Sequence, residues 1–169
     1  GCDQHIVLEE NMTLLRWTGP FRIRELLDGC LDEAQTWPPK ERGVYVVSRD
    51  RWDGAPSALA RPLYVGGNTG SSPRFCTRIG DLIADMHGFF GQESGHHTGG
   101  QSLYRWCEKE KVPPGALFLG WGTRDPWCAR CAEVEAVRLL APSWAERGEV
   151  LSLNKNRPPA CRAHGSFVR

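Results

Sequence analysis

The chain has 169 residues, 40% hydrophobic and 24% charged, with a formal net charge of +1. These values suit one globular domain with a sizeable core, and they argue against disorder. No apolar run is long enough to cross a bilayer, no secretory signal pattern opens the chain, and seven cysteines make an odd number, so reduced thiols in a cytoplasmic setting are expected.

Residues 1–40 hold seven acids against four bases and read as an N-terminal extension. Within it, FRIRELLDGCLDEA has helical spacing, with Phe21, Leu26, Leu27, Cys30 and Leu31 on one stripe. Pro38 and Pro39 then break the chain. Two β-rich runs follow, GVYVV from Gly43 and PLYVG from Pro62, each carrying one tyrosine. SSPRFCTRIGDLIADMHGFFG reads as a helix with Ser72 at its cap and Pro73 in its first turn. Phe75, Ile79, Leu82, Ile83 and Met86 form its apolar face, while Arg74, Arg78, Asp81 and Asp85 form the polar one.

A loop, GQESGHHTGGQ, leads to a short helix around SLYRWCEKE. ALFLGWGT is a third strand candidate, and DPWCARCAEVEAVRLLAP is a helix with Asp125 near its cap and Pro142 at its end. The tail is irregular and basic, with Lys155, Arg157, Arg162 and Arg169 and no acid after position 150, which suits contact with phosphate. The order β-β-α-α-β-α gives an α/β fold with a small sheet, mixed or antiparallel.

GVY at 43–45 and YVG at 64–66 resemble the two half-motifs of the GIY-YIG endonuclease superfamily. The order downstream supports the resemblance: Arg74 ten residues after Tyr64, His97 before the second helix, a glutamate and a proline on the late helix, then Leu153-Asn154. The similarity covers residues 41–157, leaving 1–40 as a helical extension and 158–169 as a basic tail. It implies a three-stranded, largely antiparallel sheet flanked by helices.

It also implies an endonuclease that hydrolyses DNA phosphodiester bonds with one divalent ion, Mg2+ or Mn2+. Tyr45 would orient or deprotonate the attacking water, with Tyr64 assisting. Arg74 would bind the phosphate, Asn154 would brace the site, and His97 would join the catalytic set. Glu133, with Ala136, Val137, Leu140 and Pro142 at the family's offsets, is favoured over Glu135 as the metal ligand. Arg78 replaces the family's frequent histidine and, with Lys155 and Arg157, is expected to contact substrate. Substrate choice would come from the extension, the 88–101 loop or a homodimer.

Read without the resemblance, the tyrosines fit half-buried sheet positions and Arg74 a solvated charge. Cys128, Cys131, Cys161 and His164 form a CxxC…CxxH set of zinc-binding chemistry, with 29 residues between the pairs. A structural Zn2+ there would give the rival reading, a zinc-stabilised or catalytically inactive nucleic-acid-binding module. GGNTGSS at 66–72 lacks the Gly-Lys-[Ser/Thr] ending of a nucleotide-binding loop.

Overall fold

The computed structural model describes residues 15–29, 43–68, 75–89 and 97–123. Within them lie β1 (Arg16–Arg22), α1 (Ile23–Asp28), β2 (Gly43–Ser48), β3 (Pro62–Asn68), α2 (Phe75–Met86), α3 (Thr98–Glu110) and β4 (Phe118–Thr123). The strands form one sheet of order β1-β4-β2-β3, antiparallel at every step. The expected late helix and basic tail lie outside the described residues.

The sheet has four strands rather than three, because residues 16–22 of the expected extension pair with β4. Phe21 and Arg22 therefore belong to a strand, and helix begins only at Ile23. The register of β1 slips between Thr18 and Phe21, around Gly19 and Pro20. Proline donates no ladder hydrogen bond, so it fits an edge strand at such an irregularity. The Phe21 ring then meets Trp121 on β4, with centroids 5.5 Å apart.

Alternation along the strands builds a core on each face. On one face Tyr45, Val47, Leu119 and Trp121 join Ile79, Leu82 and Met86 of α2 and Leu103 and Trp106 of α3. On the other, Val44, Val46, Val65 and Phe118 pack with Leu15 and Trp52. Trp52 comes from the β2–β3 connection, which Asp50 and Arg61 clamp with two hydrogen bonds of 2.6 and 2.9 Å. The Arg61 hydrogen bond and charge hold the Asp50 carboxyl below its ordinary range, although burial opposes this.

Helix α3 starts at Thr98, inside the segment expected to be loop, and so takes in Gly99 and Gly100. The sequence places Asp85 on a polar face, yet it is 2% exposed. Both departures arise where α2 meets the start of α3. No helix among the described residues is long and apolar enough to cross a membrane.

Candidate active site

The two tyrosines meet because of strand register. Tyr45 on β2 lies opposite Gly66 on β3, and Tyr64 lies opposite Val47. Residues two apart on a strand share a face, so Tyr45 and Tyr64 are diagonal neighbours on the side covered by α2 and α3. Their ring centroids are 6.1 Å apart. Gly66 has no Cβ, and a methyl built there would overlap the Tyr45 ring and hydroxyl. The glycine of the second half-motif is thus the floor beneath the tyrosine of the first.

His97 closes the triangle from the start of α3. Its ring centroid lies 6.0 Å from that of Tyr45 and 5.7 Å from that of Tyr64, edge-on to both. Gly99, two residues on, gives Tyr64 the same clearance that Gly66 gives Tyr45, since a Cβ there would overlap the Tyr64 ring.

Hydrogen bonds define the state of the imidazole. His97 Nδ1 accepts from the Gly100 backbone N–H at 3.1 Å, and Nε2 lies 2.5 Å from the Tyr45 hydroxyl oxygen. Burial, reinforced by the positive charge of Arg78, pushes the His97 pKa down to about 3, so the ring is neutral near pH 7. A neutral imidazole whose Nδ1 accepts must carry its proton on Nε2. His97 therefore donates to Tyr45.

Arg78 is half-buried on α2, acts on His97 through its charge, and makes no ion pair among the described residues. Asp85 lies seven residues further along the same helix flank. Its Oδ2 accepts a short hydrogen bond from the His97 backbone N–H, while Oδ1 is buried with no hydrogen-bond partner among the described residues. Access to the two phenols differs: Tyr45 is 0% exposed, whereas Tyr64 is half-buried. Solvent thus meets the pair through Tyr64.

Of the expected site residues, Tyr45, Tyr64, His97 and Arg78 come together. Arg74, Glu133, Asn154, Lys155 and Arg157 lie outside the described residues, as do Glu135 and the cysteine–histidine set of Cys128, Cys131, Cys161 and His164. Asp85 is the site residue that sequence reasoning missed. It sits at the border of the α2 apolar stripe, three residues after Leu82, and that border was the available signal.

Among the described residues no group of three His, Cys, Asp or Glu side chains is placed to hold a metal ion. Asp85 is a poor ligand for a hydrated cation, because one oxygen is engaged and the whole side chain is enclosed. A surface groove of about 380 Å3 lies between α2 and α3, lined by Met86, His87, Tyr104, Cys107 and Lys111 among others. None of Tyr45, Tyr64 and His97 lines it, so it is separate from the triangle they form. Burial raises the Cys107 thiol to about 11, which keeps it protonated and inert.

Comparison of the chain with protein-family models, with curated proteins and with solved structures gave no match.

Proposed function

We propose that this chain is a divalent-metal-dependent endonuclease of GIY-YIG type that hydrolyses DNA phosphodiester bonds. The observation that supports it best is the Tyr45–His97 hydrogen bond, made by a neutral, buried imidazole beside an arginine that makes no ion pair among the described residues. A structural core tyrosine needs a partner for its hydroxyl, but it does not need a second phenol beside it and a guanidinium acting on that partner.

The His97 N–H donates to the Tyr45 oxygen, and the Arg78 charge acts on the same imidazole. Tyr64, at the solvent side, positions the entering water or phosphate, and Tyr45 behind it, once its own proton has passed to solvent, takes up the proton of the attacking water as phenolate. Arg78 and Arg74 hold non-bridging phosphate oxygens, for which planar guanidinium groups are suited. Asn154 braces the site, and Lys155 and Arg157 contact the backbone of the DNA. Glu133 would hold the Mg2+ or Mn2+ ion, which would supply polarisation of the phosphate and stabilisation of the leaving 3′-oxygen.

The complete enclosure of Tyr45 favours a second reading, a catalytically inactive nucleic-acid-binding module. Incubation of the purified protein with single-stranded, duplex and branched DNA plus Mg2+ or Mn2+ separates the two. Strand cleavage lost on Glu133→Ala supports the endonuclease. Binding without cleavage supports the module, and neither activity removes both.

A further inference from the structure

We propose that Asp85 is a positioning residue of this site, completing from α2 the helix cap that holds His97 as a hydrogen-bond donor to Tyr45. Its consequence for cleavage rests on the endonuclease reading. Its consequence for the imidazole does not.

His97 is the N-cap of α3, with φ −134° and ψ 107°, and its side chain accepts from the N–H of Gly100. Histidine is not among the favoured residues at that position, which are Ser, Thr, Asp and Asn. In a capping box the residue three positions on returns a carboxylate or amide to the N–H of the cap residue. Here that residue is Gly100, which has no side chain to return. Asp85 takes the vacant role, with Oδ2 accepting from the His97 backbone N–H.

The glycine and the aspartate require each other. A Cβ on Gly100 would stand 2.6 Å from Asp85 Cβ and 2.8 Å from the Leu82 carbonyl oxygen. Any larger residue would push α3 off α2 and pull the cap from the carboxylate. The two halves of the cap therefore fix the histidine at both ends. Asp85 sets its backbone, and Gly100 sets its Nδ1, leaving Nε2–H directed at Tyr45. An ordinary cap needs none of this, since Asn at position 97 with Glu at 100 would close the same box within one helix. The arrangement gives up that simpler cap and keeps the imidazole facing the phenol.

Ring 15N NMR of histidine-labelled full chain tests the proposal directly. The unaltered protein should show His97 with Nε2 protonated and Nδ1 unprotonated near pH 7, and the reverse pattern overturns the proposal. Asp85→Asn retains an oxygen that can accept the backbone N–H, so it should keep that tautomer. Asp85→Ala should give mixed tautomers. A folded Asp85→Ala with the ring pattern unchanged, or an Asp85→Asn that loses it, overturns the proposal. Where cleavage is measurable, Asp85→Ala should lower kcat by about 100-fold with KM little changed, as expected of a misplaced catalytic group, and Asp85→Asn should restore most of it. Equal loss in both variants overturns the positioning role. Absence of cleavage in the unaltered protein would remove the endonuclease reading alone.

Discussion

Acidification from pH 7 to pH 5 should destabilise this protein through His97, and substitution of that residue should remove the effect. In the folded protein the ring takes a proton only near pH 3, because it is buried and faces the charge of Arg78. In the unfolded chain it takes one near pH 6.5, as an unperturbed histidine does. Between those values the unfolded state holds more protons, so stability is complete above about pH 6.5 and is lost progressively as pH falls toward 3. Integration gives a loss of about 2 kcal/mol between pH 7 and pH 5. Because pH 5 still lies above the folded value, the unfolded value sets that figure. His97→Asn is the reference variant, since asparagine cannot titrate and remains a good N-cap. Urea unfolding across the pH range gives the stability of each protein, with other titrating groups cancelling in the difference. Parallel pH profiles for the two proteins would refute the buried, neutral imidazole.

Three further outcomes follow from the geometry. Gly66→Ala places a methyl in the Tyr45 ring, so it should destabilise by about 1–3 kcal/mol, read as a lower Tm, and a neutral result would mean that the ring does not cross Gly66. Arg78→Gln removes one cause of the low His97 pKa, which should rise in an NMR titration yet stay below the ordinary value because burial remains, while an unchanged value would place Arg78 away from the ring. Arg61 has a φ of +52° and pairs with Asp50 through side chains 33% and 44% exposed. The pair contributes about 0–1 kcal/mol, and the left-handed backbone costs a similar amount, so Arg61→Gly should be near neutral and Arg61→Ala about 1 kcal/mol worse in urea unfolding.

The strands bearing the tyrosines were legible because each run is short, β-branched and bounded by breakers. The register that joins them was not, since it depends on where the long β2–β3 connection releases the chain. The edge strand β1 was hidden by Gly19-Pro20, a pair that ordinarily marks a turn. It survives as a strand because β4 offers a partner and the irregularity absorbs the proline. The start of α3 was hidden for a related reason. Gly99 and Gly100 disfavour helix by themselves, but Tyr64 and Asp85 occupy the space where their side chains would stand. Asp85 itself looked like a solvated charge at helical spacing, and only the neighbouring helix makes it a cap. Tertiary contact outweighs local preference at each of these points, and all but the edge strand lie within the tyrosine–histidine site.

If the Tyr45–Tyr64–His97 triangle with Arg78 serves phosphodiester hydrolysis, nicking of supercoiled plasmid in Mg2+ or Mn2+ should occur with the unaltered protein. Tyr45→Phe and Tyr64→Phe, each folded, should then lose about 100-fold or more. Nicking that persists undiminished in Tyr45→Phe would contradict that role.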